Sequence, residues 1–373
     1  MSKGLRLLLA AGGTGGHLFP GIAVAEVAQR EIDAQVLFVG TENGLERAIV
    51  PRLGFPLQFI PAQQLRGRSW LGMVRAWWAA CRAVVVAWRV IRNFAPDVIF
   101  SIGGYAAGPT VLAGWGQRVP CVLLEPNAVP GLTNRLLGRV ATKICVGFAR
   151  TMTLFPARKA VYTGSPVRWT ELPTVTLNQP RSAAITLFIF GGSAGARRLN
   201  QTLPHAMALL HKEGLPVRVI HQTGRADHAE VAALYEELGV AAEVLEFVDD
   251  MREVYASSNL VVCRAGALTL AELTVLGKPS ILIPYPYAAD DHQRVNAETL
   301  VQHGAACMIL DAELTPERAE REIRALITDT ARLTAMADAA KALGKPEATH
   351  AVVHECLACV SSSKKVALEV VPR

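Results

Sequence analysis

Leu5-Arg6-Leu7-Leu8-Leu9-Ala10-Ala11-Gly12-Gly13-Thr14-Gly15-Gly16-His17 is the stretch that decides how this chain is read. A buried-strand pattern runs into a turn with four glycines in five positions, and the helix-like Ile22-Ala23-Val24-Ala25-Glu26-Val27 follows. Backbone N–H groups in such a turn can approach a phosphate closely, and the helix adds its positive end. A second pair, Gly103-Gly104, follows Val98-Ile99-Phe100-Ser101, and a third, Gly191-Gly192, follows Ile185-Thr186-Leu187-Phe188-Ile189-Phe190. Three strand-then-glycine turns imply a protein that handles more than one phosphate-bearing ligand.

The turn is not a dinucleotide fingerprint. That motif needs glycine at its first, third and sixth places. Counting from Gly13, Gly15 fits but the sixth place is Leu18; counting from Gly12, the third is Thr14. A purely structural turn would need one or two glycines, so four point to a ligand at the backbone.

The chain has 373 residues, enough for two domains, and its 51% hydrophobic and 19% charged residues exclude a disordered protein. Charge is unevenly placed. Residues 1–166 hold 18 Lys and Arg against 7 Asp and Glu, while residues 167–373 hold 20 against 25. A basic first half suits nucleic acid, an anionic membrane or a polyphosphate. No nucleic-acid-binding module is recognisable, which sets nucleic acid aside as a partner. Seven scattered cysteines indicate buried thiols in a reducing compartment. The first residues lack the pattern of a secretory signal, so a cytoplasmic location is expected.

Short apolar runs alternate with helical patterns throughout, which implies parallel sheets covered on both faces. Strands are expected at Arg6–Ala11, Gln35–Gly40, Leu57–Ile60, Val98–Ile102, Cys121–Glu125 and Lys143–Val146. A second set is expected at Thr186–Phe190, Arg218–Gln222, Glu243–Phe247, Leu260–Arg264, Ser280–Pro284 and Cys307–Leu310. Between the sets, Thr163–Ser182 is rich in Pro and Thr and has no sustained periodicity, and it reads as a linker. The fold class is therefore α/β, with two doubly wound parallel-sheet domains, 1–166 and 167–345, facing a cleft. A last helix, about 346–361, is expected to pack back on the first domain.

An ordered series of motifs runs through both halves: Gly12–His17; Gly103-Gly104-Tyr105 with Gly108-Pro109; Glu125 with Asn127; and Gly191-Gly192-Ser193. Phe247-Val248-Asp249-Asp250-Met251 follows, then Arg264-Ala265-Gly266-Ala267-Leu268-Thr269 with Glu272, and finally His292-Gln293 with Asn296-Ala297. From about residue 5 to 350 the chain resembles the MurG family of peptidoglycan N-acetylglucosaminyltransferases. The resemblance implies a GT-B enzyme that moves N-acetylglucosamine from UDP-N-acetylglucosamine to lipid I, a polyprenyl-pyrophosphate-linked muramyl peptide, with inversion, giving lipid II. It places the acceptor on the first half and the donor mainly on the second. It further implies a peripheral protein on the cytoplasmic face of the bacterial inner membrane.

On that resemblance, Gly13, Gly103, Gly104 and Tyr105 meet the acceptor. Thr14, Gly15, Gly16, Asn127, Arg168, Ser193, Val248, Ala267, Leu268, Thr269, Glu272 and Gln293 meet the donor. His17 and Glu125 are the candidates to take the proton of the attacking hydroxyl. Glu125 ends an apolar strand, where desolvation would raise its pKa, or it could simply cap the next loop. The family often has histidine just before this Glu; here that residue is Leu124. Glu272 binds ribose hydroxyls in the family, and without the resemblance it reads as a first-turn acid favourable to the helix dipole.

No Asp-x-Asp pair occurs, and Asp290-Asp291 before a helical stretch reads as N-capping rather than a metal site. No cofactor and no obligatory catalytic cation are expected. From Arg66 to Arg92 there are six arginines and no acidic residue. At about 100° per residue, Arg75, Arg82 and Arg89 share one stripe, with Trp70, Met73, Trp77, Val84, Trp88 and Ile91 opposite. The stretch cannot cross a membrane, because its longest arginine-free run is six residues against about 20 apolar residues needed. Embedding in an anionic interface through Trp70, Trp77, Arg75 and Arg82 is one reading; a tryptophan face that is merely core is the other.

Overall fold

The computed structural model describes residues 4–62, 70–169, 185–192, 195–215 and 217–360, with residues 70–77 as backbone only. Two compact units emerge, Met1–Thr170 with Lys345–Arg373, and Glu171–Gly344. Most of the expected linker lies outside the described residues.

In the first unit the strands are β1 (Arg6–Ala10), β2 (Gln35–Gly40), β3 (Leu57–Phe59), β4 (Val98–Ser101), β5 (Cys121–Glu125), β6 (Lys143–Val146) and β7 (Ala160–Tyr162). Its helices are α1 (Gly15–Ile32), α2 (Glu46–Arg52), α3 (Trp70–Phe94), α4 (Ala107–Gly116) and α5 (Leu132–Leu137). All strands pair in parallel, in the order β3-β2-β1-β4-β5-β6-β7. Period-two alternation sorts β1 between two cores: Leu7 and Leu9 join one cluster, and Leu8 joins the other. Because both faces are covered, the strand reads as a continuous apolar run.

The second unit carries β8 (Ile185–Phe190), β9 (Val217–Gln222), β10 (Ala242–Leu245), β11 (Leu260–Cys263), β12 (Ser280–Leu282) and β13 (Cys307–Met308). Its helices are α6 (Arg197–Lys212), α7 (His228–Glu237), α8 (Met251–Ser257), α9 (Ala267–Leu276), α10 (His292–Gln302), α11 (Pro316–Ile327) and α12 (Thr330–Leu343). The parallel order is β10-β9-β8-β11-β12-β13. The chain then returns to the first unit. Helix α13 (Ala348–Ala358) places Val352, Val353 and Cys356 in the same core cluster as Leu7 and Leu9.

Several strands stop one or two residues short of their expected ends, since Ala11, Ile102, Arg264 and Phe247 already belong to turns. Strand β7 was not expected; it is three residues long at the sheet edge. Cys121, Cys145, Cys263 and Cys356 are buried free thiols, and burial pushes Cys121 and Cys145 up to about 12. Among the described residues, no helix is long and apolar enough to cross a membrane.

Candidate functional site

Strand order locates a site in each unit. In a doubly wound sheet, ligands collect beyond the carboxyl ends of two neighbouring strands whose connections depart in opposite directions. In the first sheet those strands are β1 and β4, and they lead into Gly12–Gly16 and Gly103-Gly104. In the second they are β8 and β11, and they lead into Gly191-Gly192 and Arg264–Gly266.

The first pair of turns packs backbone to backbone. A Cβ on Gly104 would stand 2.6 Å from the Gly12 carbonyl oxygen, and Gly104 has φ +80°. Only glycine meets both demands. Thr14 precedes α1, and its Oγ1 lies 3.1 Å from Nδ1 of His17. The other side of that imidazole faces the second turn, where a Cβ on Gly103 would be 3.6 Å from His17 Nε2 and 3.8 Å from Asn134 Nδ2. Tyr105 is exposed beside them. Gly13 departs from a simple phosphate loop, because its N–H donates to Glu46 Oε2 at 2.8 Å. The first-turn N–H groups of α1, at Gly15 and Gly16, have no helical carbonyl to bond.

Glu125 ends β5 and is fully buried. Its Oε1 accepts from the N–H and Nδ2 of Asn127 at 3.0 and 3.2 Å. Its Oε2 accepts from the Gly131 N–H at 3.0 Å and Asn134 Nδ2 at 2.9 Å. Burial raises its pKa, and the four donors oppose that shift without cancelling it. The same carboxylate therefore caps its loop and has the raised pKa expected of a desolvated acid. Asn134 also donates to the Leu124 carbonyl, and Leu124 itself points into the core shared with α1 and α13. Arg168 lies in this unit too, over the Phe19 ring at 4.8 Å.

In the second unit Gly192 has φ +96°, and Ser193 lies outside the described residues. Gly266 caps α9, which begins Ala267-Leu268-Thr269. The turn before it is clamped by α10. Gln293 Oε1 accepts from the N–H of Ala265 at 3.2 Å and of Tyr285 at 3.0 Å, and Asn296 Nδ2 donates to the Ala265 carbonyl at 3.2 Å. These bonds commit the Gln293 carbonyl and turn its amide nitrogen away from them. Glu272 is the sixth residue of α9, not a first-turn acid. It is buried and accepts from the Tyr255 hydroxyl at 3.1 Å. Tyr255 comes from α8, whose start is capped by the Asp250 carboxylate accepting from Arg252 and Glu253. Val248 sits just before that cap, with Phe247 exposed beside it.

Asp291 occupies the N-cap position of α10, but its side chain makes no capping bond. Asp290 and Asp291 both have φ +53°, and Asp291 pairs with Arg294 instead. Among the described residues, no cluster of His, Cys, Asp and Glu could hold a metal ion.

Asn134, Tyr255 and Glu46 escaped the sequence reading. Each reaches its partner across 9 to 33 positions, and no local pattern announces such a bond.

On α3, the side chains of Trp70, Arg75 and Trp77 lie outside the described residues, while Arg82 is exposed. Trp78 (61%) and Val85 (52%) are exposed on this helix, and Leu112 and Trp115 (58%) on α4 beside it. Trp88 was expected on the apolar face; it is 40% exposed and covers Gly116 of α4.

Two Rossmann-like units with glycine turns at both switch points define the GT-B class, and family models agree. Residues 7–146 match the glycosyltransferase family 28 N-terminal domain, and residues 186–352 match its C-terminal domain. A relative from Geobacter sulfurreducens is 44% identical over 95% of this chain and 98% of its own length. It is named UDP-N-acetylglucosamine--N-acetylmuramyl-(pentapeptide) pyrophosphoryl-undecaprenol N-acetylglucosamine transferase. The crystal structure of Acinetobacter baumannii MurG superposes with TM-score 0.77 at 32% identity, covering 94% of this chain and 99% of that one. A UDP-N-acetylglucosamine 2-epimerase structure reaches TM-score 0.71 at 14% identity over 96% of each chain, a likeness of fold alone. The chain belongs to the MurG family of N-acetylglucosamine transferases.

Proposed function

We propose that this glycosyltransferase moves N-acetylglucosamine from UDP-N-acetylglucosamine to the 4-hydroxyl of the muramyl sugar of lipid I, forming lipid II with inversion. The observation that carries the reading is the pair of switch-point sites, one per unit, in a chain 44% identical to a transferase named for these substrates. The first unit takes the acceptor. Its pyrophosphate meets Gly13 and the Gly103-Gly104 turn, beside Tyr105. The second unit takes the donor: Val248 reads the uracil through its backbone, Glu272 binds the ribose diol, and Ser193 with the start of α9 at Ala267, Leu268 and Thr269 receives the diphosphate. The Gln293 amide nitrogen completes the donor contacts within this unit.

In the reaction the acceptor oxygen attacks the anomeric carbon, the bond to UDP breaks, and a side chain takes the hydroxyl proton. His17 fits that role better than Glu125. Thr14 orients its ring, and Gly103 of the second glycine turn lies beside Nε2, between the two turns given to the acceptor. Glu125 then fixes the loop bearing Asn127 to Asn134 of α5. Helix ends and backbone donors stabilise the departing diphosphate without an obligatory cation.

We also assign α3 and α4 to an anionic membrane surface on the cytoplasmic face, through Trp78, Val85, Trp115 and the arginines Arg82 and Arg89. Purified protein incubated with labelled UDP-N-acetylglucosamine and lipid I should yield labelled disaccharide-lipid. Release of UDP without acceptor, and no such lipid, would favour an epimerase instead.

A further inference from the structure

Beneath the first glycine turn sits a carboxylate that the proposed chemistry does not use. Glu46 opens α2, has 0% exposure and lies in a chamber walled by three glycines. A Cβ on Gly12, Gly40 or Gly44 would fall between 2.0 and 2.5 Å from its side-chain atoms. Its Oε2 accepts from the Gly13 N–H at 2.8 Å; its Oε1 accepts from the N–H and the hydroxyl of Thr41 at 2.7 and 3.0 Å. Gly13 follows β1 and Thr41 follows β2, so one carboxylate ties together the ends of two adjacent strands.

Among the described residues no Lys, Arg or His forms an ion pair with Glu46. A buried carboxylate without a cation is costly, and a neutral acceptor would close a turn more cheaply. It also takes a backbone donor from a loop meant for an anion, so it does not serve affinity. Its effect is geometric. It removes the Gly13 N–H from the set offered to ligand and holds Gly13 at φ +96°, from which Thr14, the start of α1 and the His17 ring follow.

We propose that Glu46 is a positioning residue for sugar transfer: it sets the glycine turn so that His17 meets the acceptor hydroxyl, at some expense to anion binding. This rests on the acceptor assignment above. Positional errors of an ångström in a reacting group cost about 10- to 100-fold in rate.

The test compares wild type with Glu46→Gln and Glu46→Asp, measuring kcat per folded molecule, KM for lipid I and hydrogen exchange at the Gly13 amide. Both variants should lose about 10-fold or more in kcat. KM for lipid I should stay level or fall in Glu46→Gln, because the Gly13 N–H is less firmly held away from ligand, and Gly13 exchange should accelerate. Wild-type kcat in either folded variant overturns the proposal, as does a raised KM with kcat retained. If Glu46→Gln and Glu46→Asp fail to fold, Thr41→Val, which removes only the hydroxyl donor, decides by the same three readouts. Wild type that makes no disaccharide-lipid refutes the acceptor assignment itself, a result separate from any variant difference.

Discussion

At the scale of single residues, the site divides into groups a sequence can announce and groups it cannot. His17 and the glycines announce themselves because turns demanding positive φ and close backbone approach concentrate unusual residues in a few positions. Asn134 does not, since Leu-Thr-Asn-Arg-Leu-Leu reads as an ordinary helix and only the fold turns its amide to Glu125. His17→Ala should lower kcat about 100- to 10,000-fold, the range of a lost general base, with UDP-N-acetylglucosamine binding retained. Glu125→Gln replaces an acceptor oxygen with an NH₂ group facing its donors, so it should disturb residues 126–134 and lower kcat while the pH–rate profile keeps its acid limb. Steady-state rates across pH 5 to 9 read both. Disappearance of the acid limb in Glu125→Gln, with His17→Ala near wild type, would reverse the assignment of the proton acceptor.

At the scale of elements, the core strands were legible because a strand covered on both faces is apolar along nearly its whole length: β11 has no polar residue, and β4, β5 and β8 carry one each, Ser101, Glu125 and Thr186. Strand β7 was not, for three residues at a sheet edge carry too little pattern. Glu272 reads as a first-turn acid because Ala267-Leu268-Thr269 carry no helix signal of their own, yet the cap falls at Gly266 and they already form the first turn of α9. Its partner comes from another helix. Tyr255→Phe should destabilise the second unit by about 1 to 3 kcal/mol and raise KM for UDP-N-acetylglucosamine, since a buried carboxylate loses a donor. Urea titration and initial rates measure the two effects. Among the surface helices, Trp78→Glu with Val85→Glu should abolish co-sedimentation with anionic vesicles while leaving transfer to a short-chain acceptor intact. Trp88 is a poor choice for that experiment, because its ring also covers Gly116.

At the scale of the whole molecule, one buried histidine sets part of the response to acid. His221 has no exposure, lies 3.0 Å from the Tyr235 hydroxyl and 3.2 Å from Asn200 Oδ1, and burial pulls its pKa down to about 3. Between that value and about 6.5, the unfolded chain binds a proton that the folded chain refuses. Stability from this group is complete above about pH 6.5 and drains away as pH falls toward 3. Moving from pH 7 to pH 5 should remove about 2 kcal/mol, read from urea midpoints, and His221→Gln should flatten that slope. Transfer should survive EDTA; activity lost to EDTA and restored by Mg²⁺ would contradict a cation-free departure of UDP. The return of α13 to the first unit has a consequence for biogenesis. A ribosome emits the opening half first, yet Val352, Val353 and Cys356, which finish that half's core, emerge only after the entire second half has been synthesised. The nascent amino-terminal module must wait, with Leu7 and Leu9 incompletely covered, until α13 has followed the second half out.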